Sequence, residues 1–143
     1  MKCSIIIGEK DYDEVVIYAR EKTELVTKIE QLVNGNTTSI MGYKNGEITP
    51  LENDEIYCFI VENGKVFAIT KEEKYLLKTR LYKIEETLDN DFIKLNQSSI
   101  ANIKKIKKFD SSILGELKVV FKNGYVDYVS RRNIKKIKER LGL

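Results

Sequence analysis

The sequence predicts a mainly β protein of the α+β class, made of small antiparallel sheets with short connecting helices and preceded by a ββα segment. Two observations carry the β reading. Asn-Gly pairs stand at Asn45-Gly46, Asn63-Gly64 and Asn123-Gly124, each between runs of β-branched or aromatic residues. Asn-Gly is a strong short hairpin signal, because a type I′ turn needs positive φ at both central positions. Apolar Leu117, Val119 and Phe121 also alternate with Lys118, Val120 and Lys122, the two-residue period of a half-buried strand. The third observation is negative: helical periodicity occurs only in short stretches.

Taken in order, Ser4 to Gly8 and Val15 to Tyr18 are short β-like runs. Thr23 to Val33 carries Leu25, Val26, Ile29, Leu32 and Val33 on one helical face, with Thr23 as its cap. The loop Asn34-Gly35-Asn36 closes this ββα extension, which gives a division at residues 1–38 and 39–143. The extension is far shorter than a sensor or receiver domain of ordinary size. It serves dimerisation, binds a partner, or covers a sheet edge.

Three hairpins follow, pairing Ser39–Tyr43 with Glu47–Leu51, Ile56–Val61 with Val66–Thr70, and Leu117–Lys122 with Tyr125–Val129. In Thr79–Leu88 the residues Leu81, Ile84 and Leu88 recur at helical spacing. Asn133–Leu141 forms a terminal helix with Ser130 as its N-cap, an Ile134, Ile137 and Leu141 stripe, and lysines on the other faces. Ser98–Phe109 reads two ways: Ile100, Ile103 and Ile106 suit a helix, while Lys105–Lys108 equally suits a strand after a single helical turn. Ile100, Ile103, Ile134 and Ile137 are expected in the core, and Ser98 and Asn102 are expected to bond backbone around a tight connection.

Composition narrows the chemistry. Among 143 residues there is no histidine, the commonest general base and metal ligand. Cys3 and Cys58 form no framework, and Cys58 lies in an apolar run where a buried thiol is expected. No phosphate-cradling glycine loop occurs. Acidic pairs such as Asp11 with Asp13 and Glu72 with Glu73 sit in charge-dense stretches that suit solvated surface. Neither a catalytic site, a cofactor site nor a metal site is expected. No apolar run approaches the roughly 20 residues of a membrane span, so a cytoplasmic protein is expected.

Charge is segregated. Residues 1–91 carry 12 Lys or Arg against 18 Asp or Glu, a net of −6, whereas residues 92–143 carry 13 against 4, a net of +9. Such a basic third suits a polyanion, since neutralised phosphates release counterions. It equally suits a solvated lysine-rich face, or a protein-interaction or RNA-binding module.

Two stretches of the C-terminal half decide between these. Asp91-Phe92-Ile93-Lys94-Leu95-Asn96-Gln97-Ser98-Ser99-Ile100-Ala101-Asn102 resembles the F-I-R-x-H-R-S-Y-L-V-N signature of the LytTR DNA-binding family. Phe121-Lys122-Asn123-Gly124, followed by Tyr128-Val129-Ser130-Arg131-Arg132-Asn133, resembles its K-N-G and V-S-R-R-Y signature. The resemblance extends over residues 39–143. It implies a sequence-specific transcription regulator whose loops, rather than a recognition helix, enter the major groove of double-stranded DNA. It also implies a homodimer on paired half-sites, without a receiver domain, and a small membrane-protein antagonist.

By position in the signatures, Asn96 and Gln97 occupy a base- or phosphate-contacting loop and Arg132 a base-contacting position. Lys65 falls near a further contact loop. Asn and Gln can bond adenine bidentately and Arg can bond guanine. Lys94, Lys107 and Lys108 suit phosphates, which hold register without reading sequence. The alternative for Asn96 and Gln97 is a polar turn cap. Of Arg131 and Arg132, one is expected to contact DNA and the other to form an ion pair near Glu116 or Asp127. The sequence departs from the signatures at Asn96, Gln97 and Asn133, where the family has His, Arg and Tyr.

Overall fold

The computed structural model describes residues 4–5, 7–8, 13–34, 39–111 and 115–142. The chain divides into two units, Met1–Thr37 and Thr38–Leu143.

In the first unit the helix α1 (Glu24–Asn34) forms as its periodicity predicts. Thr23 Oγ1 accepts a hydrogen bond from the Val26 amide at 3.3 Å, satisfying one of the helix's initial donors. The two strands expected before it are not found: Val15–Tyr18, and the described residues of Ser4–Gly8, have no regular structure. A β-like run makes a strand only when another strand takes its backbone bonds, and none does so among the described residues. Tyr18 is 95% exposed and Ile7 94%. Gly35 and Asn36 of the expected closing loop lie outside the described residues.

The second unit holds two antiparallel sheets. The larger has seven strands in the order β2-β1-β5-β4-β3-β7-β6, and the smaller three in the order β10-β9-β8. In chain order these are β1 (Ile40–Lys44), β2 (Glu47–Leu51), β3 (Cys58–Glu62), β4 (Lys65–Ile69), β5 (Lys74–Leu77), β6 (Phe92–Asn96) and β7 (Ser99–Asn102). Then come β8 (Ile106–Ser111), β9 (Leu117–Phe121) and β10 (Val126–Val129). Helix α2 (Leu81–Thr87) lies between β5 and β6, and α3 (Arg131–Leu141) follows β10.

All three Asn-Gly hairpins form, but not by one turn geometry. Asn45 and Asn63 have φ of 50° and 53° and are followed by Gly46 at 79° and Gly64 at 73°, the doubly positive pattern of type I′. At the third turn only Gly124 is positive, at 89°. Asn123 departs because its side chain is used on both sides. Oδ1 accepts from the Tyr125 amide at 3.0 Å, and Nδ2 donates to the Thr70 carbonyl at 3.0 Å, tying the small sheet to the end of β4.

The register explains why Ile56–Val61 is apolar without alternation. Cys58 pairs with Ile69 and Ala101, while Phe59 pairs with Ala68 and Ile100. The first set faces a core formed with Leu117, Val119, Phe121 and Val129 of the small sheet and Ile137 of α3. The second faces a core formed with Leu51, Leu77 and Phe92 and with Leu81 and Ile84 of α2. A strand covered on both faces loses the polar half of its pattern.

Between Ser98 and Phe109 a strand, one 3₁₀ turn (Ile103–Lys105) and then β8 follow one another, so the strand reading holds. Asn102 is buried and structural, donating from Nδ2 to the Ile56 carbonyl at 2.9 Å and accepting the Lys104 amide at 3.1 Å. Ile100 and Ile137 are core residues as expected, whereas Ile103 and Ile134 are only half-buried.

Candidate nucleic-acid interface

The strand β6 carries a bulge at Leu95. Lys94 pairs with Ile100 and Asn96 with Ser99, so two residues of β6 advance the register by one on β7. A bulge re-aims side chains. Leu95 drops into the core shared with α3, and Asn96 stays on that same side. Lys94 is left on the opposite face, where it pairs with Glu85 of α2 at 3.6 Å.

Freed from the ladder, the Leu95 carbonyl accepts the Ser130 amide at 2.9 Å and Asn133 Nδ2 at 3.2 Å. Both come from the entrance of α3. Asn96 makes a second join: its Nδ2 donates to the Tyr128 carbonyl at 2.8 Å and to Asp127 Oδ1 at 3.3 Å, while its Oδ1 accepts the Ser98 amide at 2.8 Å. The turn at Gln97-Ser98 and the start of α3 are therefore one hydrogen-bonded unit. The two stretches that carry the family signatures meet here, although the bonded residues Asn96 and Tyr128 stand 32 positions apart in the chain.

Gln97 is exposed at the tip of its turn, and Arg131 and Arg132 are exposed on the first turn of α3. Among the described residues neither guanidinium has a carboxylate partner, so the expected ion pair of one arginine near Glu116 or Asp127 does not form; Asp127 instead receives Asn96 and the Tyr128 amide. Ser130 is the N-cap by position, but its hydroxyl makes no capping bond; its carbonyl accepts the Asn133 and Ile134 amides. At the other end Gly142 closes α3 in the left-handed region, and Arg140 bonds the Asn90 carbonyl.

Lys65 opens β4 opposite Glu62, two positions from Phe67, which packs into the core shared with α3. It is thus on the same face as Asn96. The Val61 amide donates to the Ser98 carbonyl at 2.8 Å, so the β3–β4 turn lies just beyond the Gln97 turn. Lys107 and Lys108 lie elsewhere, on β8, the edge of the small sheet away from β10, where Lys108 pairs with Asp110 at 3.6 Å. Of the residues read from the sequence, the structure gathers Asn96, Gln97, Arg131 and Arg132, with Lys65 at the same end of the sheet, and separates Lys94, Lys107 and Lys108.

Asp127 also shapes the charge behind the turn. Burial first, and then the Asp127, Cys58 and Glu62 groups, push the Tyr125 phenol up to about 12. Burial, seconded by Asp127, raises the Cys58 thiol well above its ordinary value. Both groups are neutral at physiological pH. Sequence reasoning missed Asp127 and Asn133 as parts of this site. Their role depends on the bulge, which no periodicity announces.

The LytTR DNA-binding domain profile matches residues 46–142. The chain belongs to the LytTR family. An uncharacterized HTH-type transcriptional regulator of Staphylococcus aureus strain MSSA476 is 33% identical over 146 residues, spanning 100% of this chain and 99% of the relative. A regulator of the same description from the bovine strain RF122 is 32% identical with the same coverage. The LytTr DNA-binding domain of a Bacillus cereus response regulator has the same fold, with a TM-score of 0.69, 18% identity, and coverage of 74% of this chain and 99% of that one. In this LytTR chain strands separate each helix from the next, so among the described residues no two consecutive helices form a helix-turn-helix.

Proposed function

We propose that this LytTR protein is a sequence-specific regulator of transcription that inserts the Gln97 turn and the entrance of α3 into the major groove of double-stranded DNA. What carries the reading is the joining of the two signature stretches into one exposed unit through the Leu95 carbonyl and Asn96, with Gln97, Arg131 and Arg132 at its surface. Gln97 offers a donor and an acceptor, and Arg132 a pair of donors, for bidentate bonding to base edges, and Arg131 and Lys65 flank them. Lys94, Lys107 and Lys108 stand on other faces and contribute a phosphate-attracting field of lower specificity. The chain acts without catalysis, in the cytoplasm where bacterial DNA lies, as a homodimer on paired half-sites. A small membrane protein as its antagonist rests on the family resemblance alone.

Equilibrium binding to the protein's own promoter region, measured across salt, tests this. Arg132→Ala is expected to lose about 1–3 kcal/mol of discrimination between promoter and random duplex. Lys65→Ala weakens both alike and lowers the salt slope by about 1. Variants that leave both preference and slope unchanged, or a native chain that prefers single-stranded RNA, would overturn it.

A further inference from the structure

We infer that Asn96 is a positioning residue which, together with Asn133, locks the Gln97 turn to the entrance of α3 and so fixes the spacing at which the two reading elements meet DNA. The inference rests on the DNA-binding reading above and deepens it.

An asparagine side chain offers two N–H donors and one carbonyl oxygen with two lone pairs. To bond adenine bidentately it must present one donor and the oxygen together. In Asn96 both donors point inward, one to the Tyr128 carbonyl at 2.8 Å and the other to Asp127 at 3.3 Å. The oxygen has spent one lone pair on the Ser98 amide at 2.8 Å, which holds the turn itself. What remains is a single acceptor site. A base-reading pose would break the Tyr128 bond and leave Asp127 with one partner fewer.

The same side chain thus performs two tasks: Oδ1 shapes the turn that raises Gln97, and Nδ2 fastens that turn to β10, three residues before Arg131. Asn133 supplies the second fastening, through the Leu95 carbonyl exposed by the bulge, one residue beyond Arg132. With Ser130 on the same carbonyl at 2.9 Å and Asp127 on Asn96, four bonds cross between β6 and the β10–α3 segment on either side of the two arginines. Discrimination by two separate reading groups requires that their separation be held to a fraction of an ångström. The asparagines at 96 and 133 meet that requirement by bonding within the protein.

Position-resolved base preference distinguishes positioning from reading. Selection from a pool of random duplexes with the native chain defines the preferred site, and the base preference of each variant is then measured at every position of that site. Gln97→Ala and Arg132→Ala each relax their own positions. Asn96→Ala is expected to relax both sets at once, by about tenfold or more at each, and Asn96→Ala with Gln97→Ala is expected to add nothing further at the Gln97 position. Asn133→Ala gives the same double relaxation while leaving Asn96 intact, which keeps the test open if Asn96→Ala fails to fold. Relaxation by Asn96→Ala at one separate position only, additive with Gln97→Ala, would show direct reading and overturn the inference. A native chain that enriches no motif overturns the DNA reading, and this one with it.

Discussion

Cys58 sits where β3 meets β4 and β7, fully buried against the small sheet and α3, with Tyr125 and Asp127 near. Folding raises the affinity of both the thiol and the phenol for their protons. By linkage the folded state is favoured fully while the unfolded groups also keep their protons, and loses that advantage as pH climbs through the folded values. Stability should therefore hold up to about pH 9.0, the ordinary thiol value, and decline towards about 12, where Tyr125 ionises. Urea midpoints measured between neutral pH and 11 check this. Cys58→Ala should delay the onset to near 10.0, the ordinary phenol value, and an onset unmoved by the substitution would contradict the assignment. Iodoacetamide should modify Cys58 only on unfolding, because the thiolate is the nucleophile.

Among the elements, the packing of β1 beside β5 hinges on Gly42. A Cβ there would stand 2.8 Å from Leu51 Cδ1, 2.8 Å from Tyr75 Cβ and 2.9 Å from its Cγ. The Leu51 methyl can swing aside, but Tyr75 Cβ moves only with its strand. Gly42→Ala should cost about 1–3 kcal/mol of stability, seen as a lower urea midpoint at unchanged slope. The elements also show which parts of the fold were legible. Asn-Gly pairs, alternation and helical spacing are local signals, and they located the hairpins and both short helices of the second unit. Three things were not local. The doubly covered β3 lost its alternation, the turn at Asn123 was altered by a bond to Thr70, and the bulge at Leu95 follows from how β6 meets α3. The same bulge sorts the candidate residues: Asn96, Gln97 and the arginines, picked out by motif, are gathered on one side, while Lys94 is turned to the other face. At Val15–Tyr18 the expected strand does not form for the opposite reason, since a strand needs a partner and this run has none among the described residues.

Across the whole molecule, charge and recognition are divided. The +9 of residues 92–143 supplies attraction that any phosphate backbone would satisfy, whereas specificity is assigned to a few side chains on one hydrogen-bonded unit. These contributions respond differently to salt. Attraction weakens steeply as salt rises, while the ratio between a correct and an incorrect site depends on base contacts. The most direct measurement is accordingly the ratio of affinities of the native chain for a promoter duplex and for a random duplex of equal length, at one near-physiological salt concentration. A regulator that reads bases through Gln97 and Arg132 should prefer its promoter by about a thousandfold or more. Equal affinity for the two duplexes would contradict the account, leaving a basic surface that binds DNA without reading it.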